Sequence, residues 1–315
     1  MTSTDTPRDL AVADAHAHLF SHGFYRALLA MRPGSAPPSA GDVDTAVRAL
    51  GLEAPPADPV ELARRWIALL DEHGVERSVM IASVPPDWPS VAAAVRAFPD
   101  RFAGYAIANP HAANGTAEIE RALDEGGLRG VCLFPAMHRF HVHDHPARRV
   151  IEAARKRSAL VFCHFGLLSV PIRDRLGVPN DFDGTFALPT DLHGVAADYP
   201  DVTFQIPHFG GGYLRELLLL GAQRPNVVVD TSSSNSWMRL STHALDLDLV
   251  IARTLDVFGP ERILWGSDSS VLPRGWRRDL FDLQAAAFRR AGCDDTAMRA
   301  IFGGNLRRVL RIAPS

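Results

Sequence analysis

The stretch Val12-Ala13-Asp14-Ala15-His16-Ala17-His18 places two imidazoles one residue apart inside an apolar run. In an extended strand successive side chains alternate faces, so Asp14, His16 and His18 are expected to point the same way, with two imidazoles converging on one spot. Such a pair is half of a metal site. Three later apolar runs end in the same chemistry: Leu160-Val161-Phe162-Cys163 leads to His164, Val202 to Pro207 leads to His208, and Ile263 to Ser267 leads to Asp268. Neutral imidazoles with one carboxylate suit Zn2+ or a similar divalent ion, and a catalytic site keeps one coordination position for water or substrate. We assign His16, His18, His164 and Asp268 as ligands of one divalent ion, Zn2+ with Mn2+ as the alternative. His208 is left for proton transfer, since an unperturbed imidazole titrates near neutrality at about 6.5. Asp268 can share that role, so His208 and Asp268 form the expected catalytic pair. Asp14 is expected one layer deeper, as support or packing rather than as a ligand.

The elements that must position these residues are legible as alternation. Short apolar, β-branched runs recur at about 10–18, 78–84, 102–108, 130–135, 159–165, 202–208, 227–231 and 263–268. Helical spacing fills the intervals, as in 60–73, 92–98, 116–125, 146–156, 214–222 and 247–258. Eight strands alternating with helices, nearly continuous in apolar character, predict an α/β fold: a (β/α)8 TIM barrel rather than an open sheet. In that architecture functional groups sit at the C-terminal strand ends, where all the residues above fall, on strands one, five, six and eight. The whole chain, 1–315, reads as a single barrel domain with loop insertions after strands one and five. Residues 21–58, with a Pro-, Gly- and Ala-rich part from Met31 to Asp58, read as a lid-like insertion. Leu167 to Thr190, punctuated by Pro171, Gly177, Pro179, Gly184 and Pro189, is expected to border the same mouth. Thr296 to Ile312 reads as a closing helix pair hinged at Gly303-Gly304, with Asn305 as N-cap.

Composition removes several other functions. With 47% hydrophobic and 22% charged residues the chain can bury a large core. Lys plus Arg number 33 against 36 Asp plus Glu, and no basic block offers a footprint for nucleic acid or anionic lipid. The start, Met1 to Leu10, is polar, and no apolar run is long enough to span a bilayer, so a cytoplasmic enzyme with no membrane partner and a small-molecule substrate is expected. Cys132, Cys163 and Cys293 are odd in number and far apart, a pattern of reduced core thiols.

The motifs Asp14-Ala-His16-Ala-His18, Cys163-His164-Phe165-Gly166, Pro207-His208-Phe209-Gly210-Gly211, Gly266-Ser267-Asp268 and Gly304-Asn305 span nearly the whole chain. In their order and separation the chain resembles the amidohydrolase superfamily. Within it, the similarity is to the amidohydrolase-related family that includes aminocarboxymuconate-semialdehyde decarboxylase and several lactone hydrolases. The resemblance implies the barrel and the same ligand assignment, and its members are often homodimers. Two-metal members carry a lysine near the end of strand four; here the stretch reads Gly130-Val131-Cys132-Leu133-Phe134-Pro135, so a single metal is expected. Cys132 is read as packing, not as a thiolate ligand.

Two reactions fit these parts. In the leading one, hydrolysis, a metal-activated water attacks an amide, lactone or related carbonyl. The alternative is non-oxidative decarboxylation of a small unsaturated or aromatic acid, which needs a second anion clamp. A barrel that has lost activity is disfavoured because the full set of ligands and the proton-transfer position are intact. Arg173 and Arg274 are candidates to hold a substrate carboxylate by a bidentate pair, and His138 to contact substrate. His141, His143 and His145 read as a solvated loop despite a second His-x-His spacing. Phe20, Phe24, Trp237 and Trp276 are candidate pocket walls.

Overall fold

The computed structural model describes residues 7, 9–34, 36–232 and 235–312. Most of the polar start, residues 1–6 and 8, lies outside the described residues, as do Ser35 of the 21–58 segment and the last three positions.

Eight strands line up in chain order: β1 (Val12–His18), β2 (Val75–Ile81), β3 (Phe102–Ala108), β4 (Gly130–Leu133), β5 (Leu160–Cys163), β6 (Phe204–Ile206), β7 (Val227–Asp230) and β8 (Ile263–Leu264). Every pairing is parallel. The ring closes where β1 meets the segment beyond β8, through Ala15 N to Trp265 O (2.9 Å), Asp268 N to His16 O (2.8 Å) and His18 N to Ser269 O (2.7 Å). The chain is a (β/α)8 TIM barrel. β2 begins three residues earlier than the apolar run suggests, because Glu76 and Arg77 are polar yet lie in the strand. The buried Arg77 donates to Pro99 O (2.8 Å).

Inside the ring, Ala13, Ala15, Val79, Ile81, Tyr105, Cys132, Phe162, Val228 and Leu264 pack together, and Leu306 and Leu310 join them. The C-terminal segment holds this plug in place, though not by the capping expected. Asn305 has helical backbone angles, and its side chain donates to Pro260 O (2.7 Å) and Ile263 O (2.8 Å), tying the segment to the start of β8. Gly304, not Asn305, precedes the Asn305–Val309 turn. Gly303 lies in a π-turn, Ala300–Gly304, so the hinge reading is close but the pair of helices is shorter than expected.

Asp14 also departs from expectation. A register shift between Asp14 and Ala17 breaks the alternation of β1. Ala13 and Ala15 face the interior, while Asp14 accepts hydrogen bonds from Ser267 N (3.0 Å), Ser267 Oγ (2.5 Å) and Trp276 Nε1 (2.9 Å), in the layer between barrel and helices. Asp14 therefore locks the β1–β8 seam rather than sharing a face with His16. Trp276 is correspondingly buried and does not line the pocket.

The Pro-, Gly- and Ala-rich stretch is more regular than its composition suggests. Within residues 21–58 lie helices His22–Leu29, capped by Ser21, and Ala40–Ala49, whose Ser39 and Asp42 form a capping box. Their apolar faces, Phe24, Tyr25, Leu28, Leu29, Val43 and Val47, form a small core with Val84, Leu176 and Val178. Leu176 and Val178 belong to the β5 connection, and Arg175 donates to Leu50 O (2.7 Å), so the two insertions pack as one cover. The cover is pinned to the barrel at Asp87, which accepts from Ser21 Oγ (2.9 and 2.7 Å) and Ser90 Oγ (2.6 Å). Gly23 permits this: a Cβ there would fall 2.4 Å from Asp87 Oδ1.

Burial pushes the Asp87 carboxyl up to about 6, against the pull of its serine hydroxyls. The folded state then holds its proton more tightly than the unfolded chain, so this contribution to stability is full below about pH 4 and is lost as pH rises through about 6. The loss amounts to roughly 3 kcal/mol. Asp87→Asn carries no such charge. The stability gap between wild type and variant is expected to move by that amount between pH 4 and pH 7 in urea unfolding, and a gap that stays constant refutes the assignment.

Candidate metal centre

At the C-terminal rim, three donor atoms from β1 and the end of the β8 segment converge. His16 Nε2 lies 3.1 Å from His18 Nε2, and Asp268 Oδ1 lies 3.3 Å from His18 Nε2 and 3.7 Å from His16 Nε2. The hydrogen bonds on the far side of each ring decide what these nitrogens offer. His16 Nδ1 faces Ser232 Oγ (2.8 Å) and Asp230 Oδ2 (3.2 Å). Ser232 Oγ gives its own hydrogen to Asp230 Oδ1, so His16 Nδ1 is the donor. His16 Nε2 is thereby left as an acceptor, aimed at His18 Nε2 and near a carboxylate oxygen. His18 Nδ1 faces Ser83 Oγ (2.7 Å). Two imidazole nitrogens and a carboxylate oxygen within 3.7 Å of one another form a donor set that a single cation can share. Tetrahedral Zn2+ with bonds of about 2.0–2.1 Å wants donors roughly 3.3 Å apart. The residues fit a divalent ion.

His164 and His208 complete the rim. The rings of His164 and His208 are 5.1 Å apart, and His208 is 5.1 Å from His16. His164 donors fall outside the groups that lie within 4.8 Å of one another, while its Nδ1 is buried with no hydrogen-bond partner. His208 Nδ1 donates to Ser232 O (2.8 Å). His208 (φ 59°) and Asp268 (φ 55°) both occupy the left-handed region, a strained backbone for residues with side chains and one that concentrates at functional sites. Gly266 allows the approach of β8 to β1, since a Cβ there would sit 2.8 Å from the His16 Cβ.

Electrostatics follow from burial and neighbours. Burial lowers the His18 and His208 imidazoles, and it drives His164 well below the ordinary histidine value, with His208 and His16 adding to the effect. Burial acts on His16 in the same sense, but the adjacent Asp230 carboxylate outweighs it, so His16 is raised. Asp268 is lowered: burial opposes ionisation, and the His18 hydrogen bond with the surrounding imidazoles overcomes it. Cys132 is fully buried in the barrel interior, its thiol pushed far up by burial, in keeping with packing.

Asp230, Ser232, Gln205 and Ser83 escaped the sequence reading. Gln205 Nε2 donates to Asp230 Oδ2 (2.6 Å) and its Oε1 accepts from Tyr105 (3.2 Å), so a buried polar chain runs from the barrel interior to His16. The available signal was an acid closing the apolar run Val227-Val228-Val229, the same pattern that exposed Asp268.

The rim opens into a cavity of about 570 Å³, walled by Phe20, Phe24, Phe134, Met137 and Trp237 and by the β5 connection. Arg173, Arg175, Arg274 and Arg277 also line it. Arg277 is spent on Asp279 (2.7 Å twice), and Arg175 on Leu50 O. Arg274 donates to Ser270 Oγ (3.1 Å) and Arg173 to Pro179 O (2.7 Å) over the Phe182 ring, and among the described residues neither forms an ion pair with a carboxylate. His138 does not line the cavity; burial and the nearby Arg173 push it down to about 4.

A closed parallel barrel with imidazoles and carboxylates gathered at its C-terminal rim defines a metal-dependent TIM-barrel enzyme. The amidohydrolase family profile matches residues 13–312, and the chain belongs to that family. No curated protein matches it. Among solved structures it is similar to a 5-carboxyvanillate decarboxylase from Novosphingobium aromaticivorans complexed with manganese and 4-hydroxy-3-methoxy-5-nitrobenzoic acid, at 16% identity and TM-score 0.65, covering 97% of this chain and 98% of that one. It is similar to a protein from Pseudomonas putida assigned as a 2-pyrone-4,6-dicarboxylic acid hydrolase, at 18% identity, TM-score 0.61 and 97% and 99% coverage. A zinc-bound amidohydrolase from Burkholderia multivorans matches at 17% identity, TM-score 0.62 and 96% and 100% coverage. Among the described residues no helix is long and apolar enough to cross a membrane.

If Asp230 sets the His16 tautomer, Asp230→Asn weakens divalent-metal affinity about 10- to 100-fold in competition with a chromophoric chelator. The far-ultraviolet circular dichroism is expected to be unchanged. An affinity within twofold of wild type rejects that role.

Proposed function

We propose that this protein is a mononuclear metal-dependent hydrolase that opens a C–O or C–N bond of a small carbonyl substrate, an amide, a lactone or a relative of these. In this reading His16, His18 and Asp268 hold the ion and His164 completes the set, with Zn2+ as the expected metal and Mn2+ as the alternative. Both ions occur in the similar structures described above. A divalent ion in that position supplies Lewis-acid polarisation of the carbonyl and lowers the pKa of water from 15.7 to about 7.

The observation that carries the reading is the hydrogen bond from His208 Nδ1 to Ser232 O. It holds the imidazole as the tautomer whose Nε2 is an acceptor, in the cavity that His208 lines. Burial keeps the ring neutral, since its pKa lies below the ordinary histidine value. A neutral imidazole accepts the proton of an attacking water and returns it to the departing oxygen or nitrogen. Decarboxylation instead asks for a group that begins as an acid and protonates carbon, which this tautomer does not supply.

Arg173 and Arg274, uncommitted to any carboxylate, orient a substrate carboxylate, and the cover formed by residues 21–58 and the β5 connection excludes bulk water. The aromatic walls and the same two arginines are what favours the second reading, decarboxylation of an aromatic acid. Incubating the metal-loaded protein with panels of lactones, amides and aromatic acids, while following proton release from lactones, amine formation from amides and carbon dioxide separately, discriminates the two. Proton or amine release without carbon dioxide is expected, and carbon dioxide alone overturns the hydrolase. His208→Asn is expected to lower kcat about 10²- to 10⁴-fold with metal content unchanged. Arg274→Met is expected chiefly to raise KM for carboxylate-bearing substrates.

A further inference from the structure

Outside the cavity lies a second set of metal-binding side chains. His141 and His143 sit on the loop after β4, and Asp191 ends the turn Pro189–Asp191 in the β5 connection. One donor atom from each lies within 4.8 Å of the others. His141 Nδ1 is 2.5 Å from Asp191 Oδ2, and the His141 and His143 rings stack 5.0 Å apart at 15°. None of the three lines the cavity at the barrel mouth.

A loop by itself does not fix the direction of this His-x-His pair. The structure supplies three constraints. Phe140 and Val142 are fully buried, so the alternate residues 141 and 143 turn outward together. Asp144 Oδ2 accepts His141 N (2.8 Å), closing the turn, and the Phe186 ring packs against His141 at 4.8 Å. The His143 ring makes no hydrogen bond among the described residues.

We propose that His141, His143 and Asp191 form a second, peripheral site for a divalent transition ion of the zinc class. Two imidazoles and one carboxylate are a borderline-soft donor set that suits such ions and leaves a position for water. Donors about 3.3 Å apart are required for tetrahedral Zn2+. The observed spread, from the 2.5 Å hydrogen-bonded pair to the 4.8 Å limit, brackets that value. The ion takes the place of the proton shared by His141 and Asp191, and it ties the β4 loop to the β5 connection that walls the cavity.

The test measures zinc content of the full-length protein after equilibration with micromolar free Zn2+ and removal of unbound ion. Wild type is expected to hold one more ion per chain than His143→Ala and one more than Asp191→Asn. His143 is exposed, so its replacement leaves folding and the turnover of the mouth intact. His145→Ala, an exposed histidine beside the cluster, is expected to keep the wild-type content. Equal content in wild type and His143→Ala overturns the site, and so does loss of an ion from His145→Ala, which marks nonspecific capture by surface histidines. Because the reading is a difference between variants, it holds or fails independently of whether His16 and His18 bind an ion.

Discussion

The architecture depends on how the first strand meets the last. Three backbone hydrogen bonds join β1 to the residues beyond β8, and Asp14 reinforces them by accepting from Ser267 and Trp276. This seam does more than close a sheet. It sets Asp268, from the end of the chain, against His16 and His18, from its beginning, at 3.7 and 3.3 Å. Burial raises the Asp14 carboxyl to about 6, a cost offset by four hydrogen bonds that no apolar residue could replace.

Around that seam the protein spends buried polar groups on orientation. An imidazole can present either nitrogen, and nothing in its own chemistry chooses between them. Asp230 and Ser232 choose for His16, and the Ser232 carbonyl for His208. Gln205, held by the Tyr105 hydroxyl, then donates to Asp230 from below, so the chain of donors and acceptors ends in the barrel interior without an orphan at the carboxylate. Such networks hold rings within a narrow range of angles because every alternative leaves a buried polar atom unpaired.

The cover is built on a separate logic. The insertion after β1 and the connection after β5 are far apart in sequence, yet each buries the apolar surface of the other in a small core distinct from the barrel. Arg173 from this cover and Arg274 from the β8 end both line the cavity, and among the described residues neither is paired with a carboxylate.

The alternation of apolar runs with helical spacing determined the barrel, because a parallel strand buried on both faces and a helix buried on one leave different periodicities. The pairing of His16 with His18, and of both with Asp268, was likewise legible, since functional side chains on this fold must occupy strand ends and strand ends are visible as the last residue of an apolar run. Helix Ala40–Ala49 was hidden by a composition rich in Pro, Gly and Ala, although Ser39 and Asp42 mark its start. The direction of Asp14 was decided by a bulge, which leaves no trace in an alternating sequence. Asp230 as partner of His16, the tautomer of each imidazole, and the meeting of His141 and His143 with Asp191 were settled only by tertiary structure. Each depends on atoms brought together across 24 to more than 200 positions, and local residue patterns carry no information about such distances.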